Sequence, residues 1–279
     1  MSQNAMFINQ APPTEVFRMP EGDPPDYTAL EDNLSLQIGQ NLRMVRTSLG
    51  LGQRDLSERI QVSLSQYRKY EAGQDLPRLH SAMLWSLETG LPTHWLFYGT
   101  PYQQWLKLPF KPTWIPVLYF TNRAPEWALE ALHSVIKGLL REYDSPENPL
   151  ASLDLLRDSL SHQLLRDPYY RSIAERLREY RSAQGMSRET VAQLMGISTA
   201  AYRKYETPEL CPQYSVNMIM RFWMAIGRSP LELSIETPIY LYRQIQNANF
   251  ASLFPWLERL DDASLARVNE MSRVLGELC

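Results

Sequence analysis

The chain has almost no cysteine. Cys211 and Cys279 are the only two in 279 residues, which excludes a disulfide framework and a cysteine-rich zinc site. The four histidines, His80, His94, His133 and His162, fall at no ligand-like spacing, so no metal site is expected. No apolar run approaches the roughly 20 residues that a membrane span needs. The short apolar stretch from Met6 to Ile8 lacks the length and basic flank of a signal sequence, so a cytoplasmic chain without membrane contact is expected. Phosphate loops are missing too: Gly50-Leu51-Gly52 has no strand before it and no third glycine after it. Asp154 and Asp158 lie one helical turn apart with no histidine or metal-type neighbour, which reads as a solvated face. No catalytic residue and no cofactor are expected, and the chain is not expected to be an enzyme.

An excess of positive charge is also lacking, since the formal net charge is -3. The distribution says more than the sum. Residues 1–33 carry six acids against one base, Arg18, whereas residues 34–100 carry seven bases to five acids and residues 170–236 nine to seven. The acidity therefore sits mainly in a proline-rich N-terminal arm, and the basic excess sits in two separated segments.

Those two segments share a word. YRKYE occurs at Tyr67 to Glu71 and again at Tyr202 to Glu206, 135 positions later. At that shift Ile38, Leu42, Arg43, Arg46, Gly50 and Ser63 match Ile173, Leu177, Arg178, Arg181, Gly185 and Ser198, giving 11 identities over residues 38–71 without a gap. After a two-residue insertion the shift becomes 137, pairing Leu79 with Val216, Met83 with Met220, Gly90 with Gly227 and Thr100-Pro101 with Thr237-Pro238. An apolar stripe at Leu129, Leu132, Ile136 and Leu139 is echoed by Val268, Met271, Leu275 and Leu278. The chain thus reads as an internal duplication: an acidic, proline-rich, flexible arm at 1–33, a first domain at 34–100, a linker and helical tail at 101–169, a second domain at 170–236 and a second tail at 237–279.

Each copy parses as short helices, and an all-α fold is expected. Ile38, Leu42 and Val45, like Ile173, Leu177 and Tyr180, have helical spacing, and Gly50 and Gly185 suit a left-handed cap. A second helix spans about 53–60 or 188–195 and a fourth about 77–89 or 215–226. Between them Ser63 or Ser198 caps a third helix, with Gln66 completing a capping box in the first copy. PFKPTWIP reads as a connector to a tail helix over 125–142, and VLYF after it as a short strand. MIMRFWM, Met218 to Met224, aligns with LHSAMLWSL and reads as core, with an interface role left open.

LGLGQRDLSERI together with VSLSQYRKYEAG resembles the phage-repressor (Cro/CI, or XRE) helix-turn-helix domains. Gly50, Leu51, Gln53, Leu56, Val62, Ser63, Tyr70, Glu71 and Gly73 fall where that pattern puts them. The second copy departs at Arg188, where the family usually has glutamine, and at Glu206-Thr207-Pro208. The resemblance implies two four-to-five-helix helix-turn-helix domains, each followed by a helical tail. It also implies structural ion pairs, Arg46 with Glu71 and Arg181 with Glu206.

Double-stranded DNA is the implied partner. The third helix would turn Leu64, Ser65 and Lys69, or Thr199, Ala200 and Lys204, toward base edges. Arg43, Gln53, Ser63 and Arg68, with Arg178, Arg188, Ser198 and Arg203, would meet phosphates. Tyr67, Tyr70, Tyr202 and Tyr205 would pack inward. Two functions stay open: a transcriptional repressor or activator reading two unlike half-sites, and an adaptor or antitoxin-like regulator whose domains dock a protein partner. The tail stripes would pack on each other within the chain or join two chains as a homodimer.

Overall fold

The structure is a computed structural model that describes residues 24–106, 111–142, 150–153, 160, 167–210, 213–227, 232–235 and 237–279. Asp154, Asp158, His162, Cys211 and the segment Met6 to Ile8 lie outside them. Among the described residues the fold is helical, with an isolated antiparallel bridge between Arg78 and Ser215 and no named strand, and no helix is long and apolar enough to cross a membrane.

A short helix α1 (Tyr27–Leu30) precedes the first domain, built from α2 (Leu34–Ser48), α3 (Gln53–Arg59), α4 (Leu64–Glu71) and α5 (Leu79–Thr89). The first tail holds α6 (Ile115–Thr121) and α7 (Glu126–Leu140). The second domain repeats the order as α8 (Asp167–Ala183), α9 (Arg188–Leu194), α10 (Thr199–Tyr205) and α11 (Asn217–Ile226), and α12 (Pro238–Leu257) and α13 (Asp262–Leu278) form its tail.

The local chemistry of both domains is the same. Gly50 and Gly185 end the first helix with φ of 65° and 64°, a left-handed conformation that only glycine adopts without a Cβ penalty. Ser63 Oγ accepts the amide of Gln66, and Ser198 Oγ that of Ala201, so each third helix has a serine N-cap. Ile38, Leu42, Val45, Leu56, Tyr67 and Tyr70 are buried in the first copy, and Ile173, Leu177, Val191 and Tyr202 in the second.

The copies are not independent beads, because one apolar core runs through both. The Tyr170 hydroxyl lies 2.8 Å from His80 Nδ1, Trp95 meets Phe250 edge to face, and Trp114 does the same with Phe254. Helix α12 of the second copy is thereby driven into the first. Its Arg243 is buried and donates to Ser86 Oγ and to Gln246 Oε1. Burial pulls that guanidinium down to about 10.

Several expectations are corrected. VLYF is not a strand but lies in α6, which follows directly on a 3-10 turn over Pro112–Trp114. The arm does not extend to residue 33 as a loose segment: Tyr27 is buried and α1 is N-capped by Asp26. The fourth helix starts at Leu79, because Arg78 is extended and paired in the bridge, with the Pro77 carbonyl accepting from the Val216 amide. Gln66 does not reach back to Ser63; its Nε2 donates to Asp75 Oδ2 at 2.8 Å. The tail helices do meet inside the chain, α13 lying against α6 and α7. The buried side of α13 is Leu265, Val268, Ser272 and Leu275, while Met271 and Leu278 of the expected stripe are exposed.

Candidate nucleic-acid interface

The word YRKYE divides by helical geometry. Tyr67 and Tyr70 are 0% and 2% exposed, and Glu71 is buried beside them. The intervening Arg68 and Lys69 are exposed. In α10, Tyr202 and Glu206 are buried, Tyr205 is half-buried and packs on Tyr214 at 4.7 Å, and Arg203 and Lys204 are exposed. Ser63 and Ser65 stand exposed at the start of α4 with Leu64 half-buried between them. In α10, Ser198 and Ala200 are exposed and Thr199 is half-buried. Each third helix therefore offers solvent its first turn and one Arg-Lys pair.

The buried glutamates hold these helices in place. Arg46 Nε donates to Glu71 Oε1 at 2.6 Å and its Nη2 to Oε2 at 3.1 Å, while Nη1 donates to the Leu51 carbonyl at 2.9 Å. Arg181 repeats the pattern, Nε to Glu206 Oε2 at 2.8 Å, Nη2 to Oε1 at 3.2 Å and Nη1 to the Met186 carbonyl at 2.9 Å. Such bidentate, charge-assisted pairs fix orientation as well as adding energy. Burial raises the Glu71 carboxyl, but the bonds from Arg46 and Gln53 outweigh it and leave it below its ordinary value. Glu206 is lowered in the same way, against burial, by Arg181 and Arg188.

Two residues expected at phosphates are engaged by these carboxylates. Gln53 Nε2 donates to Glu71 Oε2 at 2.7 Å, and Arg188 Nε donates to Glu206 Oε1. Arg188 thus does in the second copy what Gln53 does in the first, which gives the departure from the family pattern a structural role. Arg43 and Arg178 are exposed, and their Nη2 atoms reach the carbonyls of Glu71 and Glu206 at 3.5 and 2.9 Å. Both lie at the C-terminal end of a third helix, where positive charge is favoured.

The relation between the copies was not legible in the repeat alone. Arg78 and Ser215 form an antiparallel bridge. The Leu79 amide donates to the Tyr214 carbonyl at 2.8 Å and the Val216 amide to the Pro77 carbonyl at 2.9 Å. At the shift of 137, Leu79 corresponds to Val216, Arg78 to Ser215 and Pro77 to Tyr214. Each bond is therefore the image of the other, and a local two-fold axis passes between Arg78 and Ser215.

A second junction was also missed. Glu31, counted with the arm, accepts from Arg221 Nε at 2.9 Å and Nη2 at 2.6 Å, and from Asn217 Nδ2 at 2.8 Å. The arginine inside MIMRFWM was the available signal. Among the described residues no group of histidine, cysteine or acidic side chains is arranged to hold a metal ion.

Comparison with protein-family models finds a match described as helix-turn-helix over residues 42–96 and one described as a helix-turn-helix domain over residues 172–216. No curated protein and no solved structure matches the chain.

Proposed function

We propose that this chain, which carries two helix-turn-helix domains in tandem, is a sequence-specific DNA-binding transcriptional regulator that reads two unlike half-sites as a covalent pseudo-dimer. The supporting observation is the exchange of equivalent backbone bonds across the bridge between Arg78 and Ser215. This junction lies seven residues beyond the end of α4 at Glu71. In this reading the axis also relates α4 to α10, so that the two exposed faces act together. Helix-turn-helix pairs related in this way address half-sites in inverted orientation, about 34–36 Å apart.

In this reading Leu64, Ser65 and Lys69 meet the bases of one half-site, and Thr199, Ala200 and Lys204 those of the other. Lysine donates to guanine O6 and N7, serine and threonine pair with several bases, and leucine and alanine touch thymine methyl groups. Arg43, Ser63 and Arg68, with Arg178, Ser198 and Arg203, hold phosphates and set register. Gln53 and Arg188 serve the buried glutamates first and offer phosphates their remaining N–H groups. Because the first turns differ, Leu-Ser-Gln against Thr-Ala-Ala, the preferred half-sites differ.

One observation favours a protein-docking role for the second domain. Its first turn carries only small side chains, Thr199, Ala200 and Ala201, which leaves fewer groups for DNA. Binding of the full chain to genomic fragments over a salt titration separates the readings. DNA reading predicts a footprint at low salt that weakens with Lys69→Ala and with Lys204→Ala. Retention of full affinity in both variants, or no footprint, contradicts it.

A further inference from the structure

The strongest unexplained feature is the short strap before the first domain, which is fastened to the second. Tyr27 is 5% exposed, and its hydroxyl donates to the Leu194 carbonyl at 3.0 Å, at the end of α9. The Arg221 guanidinium lies over its ring, 4.5 Å from the centroid. Four residues on, the half-buried Glu31 carboxylate takes two bonds from Arg221, one from Asn217 and one from the Tyr102 hydroxyl. Arg221 Nη1 continues to the carbonyls of Met195 and Gly196 at 3.2 and 3.3 Å. A carboxylate just ahead of the first copy is thus tied to the helix-turn-helix turn of the second.

The duplication shows that this junction is built into the second copy alone. Three of its receiving residues differ from their counterparts: Arg221 replaces the buried Leu84, Asn217 replaces His80, and Gly196 replaces Gln61. Backbone conformation does not by itself demand that last change, since Gln61 adopts φ 55° and Gly196 φ 62°. Space does: a Cβ on Gly196 would stand 2.5 Å from Tyr27 Cδ2. An arginine in an otherwise apolar core helix, an asparagine and a glycine all converge on one segment just ahead of the other copy.

From this we infer that the strap is a positioning device for the two reading heads, and that Tyr27, Glu31 and Arg221 set the half-site spacing the chain accepts. The inference rests on the DNA-reading function proposed above. The bridge and the apolar core shared by both copies already join the domains. The strap adds a polar attachment at the turn ahead of α10, which opposes rotation of that helix against the first domain. Adding one base pair to a spacer moves the half-sites apart by about 3.4 Å and turns one relative to the other, so a stiff pair of heads tolerates little change and a loose pair tolerates more.

The experiment measures binding of the full chain to duplexes carrying its selected half-sites with spacers lengthened or shortened by one to three base pairs. For the native sequence, a two-base-pair change should cost about tenfold or more in affinity, the scale of a mismatched base pair. In Arg221→Leu, which installs the first-copy residue, and in Glu31→Gln, the profile should flatten while discrimination within each half-site persists. Tyr27→Phe, which loses only the hydroxyl contact, should flatten it less. Thermal melts run alongside identify folded variants. A profile as steep in folded variants as in the native chain overturns the inference, as does an equal loss at every spacing. Absence of native binding to any duplex would instead remove the DNA-reading function itself.

Discussion

Arg78 pairs antiparallel with Ser215, its own counterpart 137 positions along the chain, and the flanking amides exchange equivalent bonds at 2.8 and 2.9 Å. Both sides of this junction belong to one chain, so the pairing of the two helix-turn-helix domains carries no concentration dependence.

The buried ion pairs are expected to dominate the stability of each domain. Glu71 and Glu206 have side chains 1% and 0% exposed. Removing one partner of such a pair strands the other, at a cost of about 3–5 kcal/mol. Arg46→Ala and Arg181→Ala should each lower the unfolding midpoint substantially, measured by circular dichroism in urea. A change within about 0.5 kcal/mol, as for an ordinary surface substitution, would show that the pairs carry little weight.

The exposed lysines are expected to behave in the opposite way. Lys69→Ala and Lys204→Ala should leave the melting temperature unchanged and weaken DNA binding. For a lysine at a base edge the loss is about 1–3 kcal/mol with relaxed specificity at that position, whereas a lysine on a phosphate lowers affinity uniformly and reduces the salt slope by about 1. Selection of binding sequences by each variant distinguishes the two roles.

Gly39 shows where the copies are packed differently. A Cβ there would lie 2.3 Å from the Tyr70 carbonyl oxygen, so α2 crosses α4 at backbone contact. The second copy carries Ala174 at this position, fully buried. Gly39→Ala should therefore destabilise by about 1–3 kcal/mol through overpacking, against its gain in helix propensity. Ala174→Gly should cost no more than about 1 kcal/mol plus the lost methyl contact. Equal, small effects at both sites would contradict the close approach.

Stability should fall with acid before the carboxylates titrate. His94 is buried, and burial first, with the nearby Arg243 second, holds its pKa down at about 3, against an ordinary 6.5. Below pH 6.5 the unfolded chain therefore binds more protons than the folded one. The contribution is complete above that value and erodes as pH falls toward about 3, by up to about 1.4 kcal/mol per pH unit. Glu71 and Glu206, both lowered, add the same dependence in the carboxylate range, their contributions lost as pH falls through their depressed folded values. Urea midpoints should decline steadily below pH 6.5 in the native chain. In His94→Phe the decline between about pH 6.5 and 4.5 should be shallower, with the part due to His133, also lowered by burial and by Lys137, remaining. Identical pH profiles for the two proteins would contradict this.

Much of each domain was legible because its information is local. Helical spacing, the capping serines and the glycine stops act over three or four residues, and a word repeated at 135 positions exposes the duplication directly. The pairing of Arg46 with Glu71 was legible only through a resemblance, since nothing in spacing alone brings residues 25 apart together. The junctions between copies were illegible for a related reason. The bridge at Arg78 uses backbone groups, which every sequence has, and the strap joins Glu31 to a residue 190 positions away. VLYF was misread because four apolar residues suit a buried strand and a buried helix equally. Met271 and Leu278 were misassigned because the buried stripe of α13 follows Leu265, Val268, Ser272 and Leu275, one position of which is a serine.

Base-pair-resolution footprinting of the chain on its highest-affinity site shows how the two domains lie on DNA. Two protected half-sites of unlike sequence in inverted orientation are expected, about one helical turn apart centre to centre, at chain concentrations where the protein is monomeric. A single protected half-site, or two half-sites in direct repeat, would contradict the pseudo-two-fold arrangement of the reading heads.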